Sequence, residues 1–220
     1  MGTYVITGAN RGIGLELVRQ LKGRGEEVVA CCRSAGSDLQ RTGARIVDGV
    51  DVADAASVAS LADELADVEI DVLINNAGIL EADDLKNLDF EAVERQLSVN
   101  AVGPLRVTKA LLSCLRRGSK IAIITSRMGS IADNDSGRMY GYRMSKAAVN
   151  AAGRSLARDL QHCEVAVAIL HPGFVKTRMT AERGTVAPED AAAGLIARID
   201  ELDLENTGTF WHANGQQLPW

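Results

Sequence analysis

The sequence predicts an α/β fold: a doubly wound parallel sheet of about seven strands, with helices on both faces, in one domain spanning residues 1–220. Three observations predict it. Short β-like runs alternate with helical patterns along the whole chain. Most of the β-like runs are continuously apolar, as strands covered on both faces must be. The residues suited to ligand chemistry follow those runs directly, where such sheets bind their ligands.

The β-like runs are Tyr4–Thr7, Glu27–Cys32, Ala44–Asp48, Ile70–Ile74, Lys120–Thr125, Val165–Leu170 and Thr207–His212. Helical spacing fills the intervals. Val58, Leu61, Ala62 and Leu65 mark one helix, and Leu105, Thr108, Leu112 and Leu115 predict another near 101–116. Val149, Ala152 and Leu156 mark a third, and Pro188-Glu-Asp opens the last with the residues that helix starts favour. No Pro/Ser-rich linker, charge block or internal repeat divides the chain.

Composition limits the partners. With 46% apolar and 24% charged residues the chain is an ordinary globular one. A net charge of -5 and 4% aromatics argue against nucleic acid as a partner. No apolar run reaches membrane-spanning length, so no membrane partner is expected. The first β-like run starts almost at once, leaving no room for a signal peptide. Cys31, Cys32, Cys114 and Cys163 form no disulfide or metal pattern. Four reduced thiols fit a cytoplasmic protein. His162, His171 and His212 lie in no metal-ligand pattern, so no metal is expected.

After the first strand comes Thr7-Gly-Ala-Asn-Arg-Gly-Ile-Gly14 and then a helix. Glycines there permit a tight turn and close approach of backbone to a pyrophosphate, and the helix start offers N–H groups and a positive dipole end. The second strand ends Cys31-Cys32-Arg33, without the acid that usually holds the ribose hydroxyls of NAD. Arg33 and Arg11 instead suit a 2′-phosphate, so NADP (NADPH) is expected over NAD.

Tyr142 and Lys146 are four apart, hence on one face of a helix. A neighbouring cation favours tyrosinate and is expected to lower the Tyr142 pKa, fitting it for acid–base work on a carbonyl/alcohol pair. Ser126 ends the fifth strand, where its hydroxyl is placed to polarise a carbonyl oxygen. It lies in no G-x-S-x-G elbow, which argues against a hydrolase triad.

In this order the motifs resemble the short-chain dehydrogenase/reductase family, over nearly the whole chain. Gly8, Asn10, Arg11, Gly12, Ile13 and Gly14 resemble its TGxxxGxG cofactor turn, and Asp51-Val52 its adenine-contacting pair. Asn75-Asn76-Ala77-Gly78 matches NNAG, and Ser98-Val-Asn100 the segment with the active-site Asn. Ser126, Tyr142 and Lys146 match the catalytic Ser and YxxxK pair. Pro172-Gly173-Phe-Val175-Lys-Thr177 matches the PGxVxT segment that holds the nicotinamide carboxamide. Asn10-Arg11, Gly129-Ser-Ile131, Tyr140-Gly-Tyr142 and the ending Gly208…Trp220 further resemble the C-factor and sniffer-type carbonyl reductases.

The resemblance implies a Rossmann-like fold and an NADP(H)-dependent oxidoreductase acting on a small carbonyl or alcohol substrate. Tyr142 would be acid/base, and Asn100 would position a water linking Lys146 to solvent. It also implies a homodimer or homotetramer through the helices near 101–116 and 142–160, whose Ala147, Ala148, Ala151 and Ala152 permit close approach. The alternative is an NADP-binding signalling or sensor protein of C-factor type with little turnover. A sugar-nucleotide epimerase is disfavoured by the glycine spacing and the lack of a C-terminal substrate domain. Met128, Met139, Tyr140, Phe174 and Met179 are candidate pocket residues, and Arg143 is expected to be exposed. Only residues 178–187 separate Thr177 from Pro188, so a short lid and an open, loosely selective site are expected.

Overall fold

The computed structural model describes residues 1–220. Seven strands, β1 (Thr3–Thr7), β2 (Glu27–Cys31), β3 (Arg45–Val47), β4 (Ile70–Asn75), β5 (Leu115–Ile124), β6 (Ala166–His171) and β7 (Phe210–His212), form one sheet in the order β3-β2-β1-β4-β5-β6-β7. Every neighbouring pair is parallel. This is the doubly wound order, with its switch point between β1 and β4.

Period-two alternation sends Val5 to one face and Ile6 to the other, so each face has its own core. On one face lie α1 (Gly12–Gly23), the short α2 (Ser37–Gln40) and α7 (Pro188–Asp200), through Leu17, Leu21, Leu39 and Leu195. On the other lie α3 (Ala55–Glu64), α5 (Gly103–Ala110) and α6 (Tyr140–Asp159), through Leu61, Val107 and Val149. Helix α4 (Phe90–Leu97) runs into a π-helical turn, Ser98–Val102, and packs on α6.

Local chemistry sets several helix starts. Asp54 accepts from Ala56 N (3.1 Å) to open α3, and Asp89 from Glu91 N (3.0 Å) to open α4. Pro188 stands at the start of α7 with Glu189 and Asp190 in its first turn.

Three boundaries differ by several residues from the sequence expectation. The helix expected over 101–116 ends at Ala110, and β5 begins at Leu115 rather than Lys120. Leu115 pairs with Ile70, the register then shifts, and Lys120 pairs with Val72. Ser119 Oγ holds the irregular stretch by donating to Ile70 O at 2.7 Å and accepting from Arg116 N at 2.9 Å. The last strand covers only Phe210–His212, because Gly208 takes a left-handed φ of +73° just before it. No helix is long and apolar enough to cross a membrane.

Candidate active site

The turns leaving β1 and β4 diverge at the switch point, and side chains lace their bases together. Thr7 Oγ1 accepts from Asn76 N and Ala77 N, both at 3.1 Å. Asn76 Nδ2 donates to Thr7 O and Gly8 O, both at 3.1 Å. The glycines are required by contact as well as conformation. Gly8 has φ +66°, and a Cβ there would lie 2.8 Å from Ala77 Cα. A Cβ on Gly14 would lie 2.3 Å from Gly8 O. Helix α1 starts with no side-chain cap and no acid in its first turn, which leaves its positive end for an anion.

Above this turn opens a cleft of about 920 Å³ along the carboxyl ends of the strands. Gly8, Asn10, Arg11, Gly12, Ile13, Gly14, Arg33, Asp51, Val52, Asn76, Ala77, Gly78, Pro172 and Thr177 line it, with Tyr142 and Lys146 also on the wall. A cleft of this size with a glycine floor and two exposed arginines fits a dinucleotide. Gly173 and Val175 are outside the lining. Val175 is buried and pairs with Val186, and Gly173 (φ +92°) turns the chain between them and the cleft.

At the far end the chemical groups converge. Ser126 stands two residues past the end of β5, is buried, and accepts from Met128 N at 3.2 Å. The glycine three residues on is what lets this loop seat on α6. A Cβ at Gly129 would lie 2.7 Å from the Lys146 carbonyl carbon. Tyr142 and Lys146 are both buried on one face of α6. Lys146 Nζ donates to Ile124 O at 3.0 Å and sits 5.7 Å from the centre of the Tyr142 ring.

Burial overrides the expected lowering of Tyr142. Desolvation pushes its hydroxyl up to about 12, against the opposing pull of the Ser126 hydroxyl. Desolvation also brings Lys146 down to about 8. Asn100 sits in the π-helical turn, an irregularity common at functional sites. Its Oδ1 accepts from Ile79 N (2.8 Å), and its Nδ2 donates to Ile79 O (2.8 Å) and Ser145 Oγ (3.0 Å). The amide is thus committed to holding the segment after β4 against α6.

Of the candidate pocket residues only Met179 lines the cleft. Arg143 is not a free surface charge. It donates to Gly137 O (3.3 Å), Arg138 O (3.2 Å) and Ser136 Oγ (2.8 Å), tying the loop between Ser126 and Tyr142. The sequence reading missed Ile79, Thr125, Lys176 and Arg178 on the wall. Each neighbours a motif residue, so the only signal available was adjacency to a strand end.

A family model described as short chain dehydrogenase matches residues 3–187. The chain belongs to the short-chain dehydrogenase family. This short-chain dehydrogenase is 42% identical over 226 residues, covering 100% of both chains, to 1-hydroxy-2-glutathionyl-2-methyl-3-butene dehydrogenase of Rhodococcus sp. strain AD45. It is 44% identical over 154 residues to C-signal of Myxococcus xanthus, covering 69% of this chain and 93% of that one. Among solved structures it is similar to the carbonyl reductase Sniffer of D. melanogaster (TM-score 0.92, 29% identity, 100% of both chains covered). It is also similar to an NADPH-bound carbonyl reductase from chicken fatty liver (TM-score 0.90, 28% identity, 100% and 99% covered).

Proposed function

We propose that this short-chain dehydrogenase is an NADP(H)-dependent carbonyl reductase, interconverting a small carbonyl compound and its alcohol. One observation carries the reading: Tyr142 and Lys146 stand side by side on the wall of a dinucleotide-sized cleft, with the Ser126 hydroxyl hydrogen-bonded to Tyr142 just behind that wall. Arg11 and Arg33 on the cleft wall, and the NADPH held by the chicken relative, support NADP(H) over NAD.

A bound nicotinamide dinucleotide supplies the hydride; the chain supplies orientation and the proton. The glycine turn and the α1 N-terminus would hold the phosphates, Arg11 and Arg33 the 2′-phosphate, and Asp51 and Val52 the adenine. Thr177 and Pro172 would border the nicotinamide, with Gly173 and Val175 shaping the segment behind them. Ser126 Oγ hydrogen-bonds the substrate oxygen. Tyr142, protonated throughout the neutral range, delivers its proton to the alkoxide that forms. Lys146, charged below about 8, compensates the tyrosinate left behind and holds ribose hydroxyls.

The Rhodococcus relative's name makes an alcohol carrying a glutathionyl group the first substrate to try, beside small aldehydes, ketones and diones. A symmetric dimer or tetramer is proposed on the outer side of α5 and α6, with Leu105 of α5 and the flanking Val102 and Leu112 exposed there.

The test is NADPH oxidation across a carbonyl panel by wild type and Tyr142→Phe. Turnover should fall by about 10²–10⁴-fold in the variant with NADPH binding intact. A variant at full rate removes Tyr142 from the mechanism. The C-signal relative favours a second reading, a sensor that binds NADPH without consuming it. A wild type that binds NADPH and oxidises none across the panel would select that reading.

A further inference from the structure

Helix α6 carries Tyr142 and Lys146, yet it begins without a cap of its own. Met139 holds the capping position with a left-handed φ of +56°, and no local side chain accepts an α6 amide. Gly137, Arg138 and Met139 are three consecutive left-handed residues, with φ of +61°, +58° and +56°. Two of them carry side chains, an unfavourable arrangement for L-residues. It delivers a row of backbone N–H groups to one concave point, an anion-binding nest.

The nest is filled from the loop after β4. Asp83 Oδ1 accepts from Tyr140 N at 2.5 Å, and its Oδ2 from Gly141 N at 2.9 Å. The backbone carbonyl of the same residue accepts from Met139 N at 3.0 Å. Asp83 is a buried carboxylate, 9% exposed. Its loop is itself tied down at alternate residues. Asn100 holds both backbone groups of Ile79. Fully buried Gln96 holds those of Glu81, accepting from N at 3.0 Å and donating to O at 3.2 Å. Gly141 lets the helix come this close, for a Cβ there would lie 2.5 Å from Gln96 Nε2 and 3.1 Å from Val93 Cα. The segment Ile79–Asp83 is therefore a strut from α4 and its π-helical turn to the first turn of α6. Tyr142 is the residue next to the second capped amide.

We propose that Asp83 is a positioning residue: by filling the nest at the start of α6 it fixes the Tyr142 hydroxyl against Ser126. The inference rests on the carbonyl-reductase reading above. Asp83 lines no part of the cofactor cleft, so its effect falls on the proton-transfer geometry and leaves cofactor binding alone. Both carboxylate oxygens are used, so an amide replaces only one of the two acceptors.

The experiment compares wild type, Asp83→Ala and Asp83→Asn. Asp83→Ala should lower kcat by about tenfold or more, because small misplacements of a reacting group are costly. NADPH affinity should stay within about twofold, and Asp83→Asn should recover part of the lost kcat. Hydrogen exchange of the peptide covering 139–146 should accelerate in Asp83→Ala while the glycine-turn peptide is unchanged. Unaltered exchange, or accelerated exchange with unaltered kcat, would overturn the proposal. So would equal losses of kcat and NADPH affinity, which indicate a general structural role. Should Asp83→Ala not fold, the Asp83→Asn comparison decides alone, on the same outcomes. A wild type without turnover would refute the carbonyl-reductase reading instead, and the exchange data would still decide the anchoring.

Discussion

Two glycines at opposite ends of α1 should respond to the same methyl group in opposite ways. At Gly14 an added Cβ would sit 2.3 Å from the Gly8 carbonyl oxygen and 2.6 Å from Asn76 Nδ2. Ordinary carbon contacts begin near ~3.5 Å, so the overlap with backbone is on the order of 1 Å. Backbone cannot rotate away as a side-chain tip can. Gly14→Ala should therefore cost about 1–3 kcal/mol. For a chain of this size that is a fall in Tm of roughly 2–12 °C. The shift also pushes the β1 turn away from Asn76, which ties the phosphate floor together, so NADPH affinity should fall by about tenfold or more. At Gly23, in the last turn of the same helix, nothing lies within 4 Å of the new methyl and φ is not left-handed. Gly23→Ala should stabilise by about 0.4–1 kcal/mol, chiefly by restricting the unfolded chain. Thermal melts and NADPH fluorescence titrations of the two variants make the comparison. Equal Tm shifts of the same sign, or Gly14→Ala with wild-type NADPH affinity, would refute the contact argument.

Three further outcomes follow from the same geometry. Arg11→Ala with Arg33→Ala should weaken NADPH far more than NADH in binding titrations, since only NADPH carries the 2′-phosphate; equal losses would remove those arginines from that role. Lys146→Met should abolish turnover and yet raise Tm at pH 7. The fall of Lys146 from 10.5 to about 8 corresponds to about 3 kcal/mol, offset by about 1 for the lost bond to Ile124 O. That gain should fade between pH 8 and 10.5, where the folded wild-type lysine is already neutral and the unfolded one still takes up its proton. His171 is held neutral down to about 3, by burial first and then by His212, Arg127 and Lys146. The unfolded chain binds this proton below about 6.5, so the stability His171 lends is whole above that pH and drains away as pH falls toward 3. His171→Leu should flatten the acid limb of a pH–stability curve by on the order of 5 kcal/mol, and an unchanged limb would place the acid sensitivity elsewhere.

What the sequence made legible is what local rules determine. Continuous apolar runs such as Val165–Leu170 point to the parallel sheet, because a strand buried on both faces has few polar positions to spend. The glycine turn was legible because the left-handed φ of Gly8 and the approach of Gly14 to the Gly8 carbonyl are local, whereas their contacts with Asn76 and Ala77 are long-range and left no trace. The Ser126, Tyr142 and Lys146 positions were legible from strand-end placement and helical spacing. The properties of those groups were not. A tyrosine four residues before a lysine promises a lowered pKa, but burial is a tertiary quantity, and here it raises Tyr142. Asp83 was hidden for the same reason. Its partners lie 57 and 58 positions away, and its own loop has no periodicity. The one trace in the sequence is negative: the residues before Tyr140 supply no capping side chain where a catalytic helix has to start. The short helix α5 misled because Leu112 and Leu115 keep helical spacing after the helix has stopped. Leu115 is claimed instead by pairing with Ile70.

The segment after Thr177 bears on selectivity through how it is tied. It leaves Val175, makes one 3-10 turn at Arg178–Thr180, and returns so that Val186 forms an isolated parallel bridge with Val175. Thr185 N and Val186 N both donate to Phe174 O, at 2.7 and 3.0 Å, and Lys176 N donates to Val186 O at 2.9 Å. Thr180 Oγ1 closes the turn on Val175 O at 2.7 Å. Gly184 is packed so closely that a Cβ would lie 2.1 Å from the Val175 carbonyl carbon. A loop that spends its amides on its own base cannot also reach across the cleft. Phe174 and Met179 remain exposed at its edge, apolar surface available to a substrate. A flap that closes over its ligand gains selectivity by assembling the site around the correct shape. A tied loop offers one fixed edge, so discrimination has to come from the anchored groups, Ser126 and Tyr142. On the proposed carbonyl-reductase reading, those recognise a carbonyl oxygen and little else of the molecule that carries it. The economy of residues 178–187 thus argues for a catalyst specific in its chemistry and permissive in its substrate.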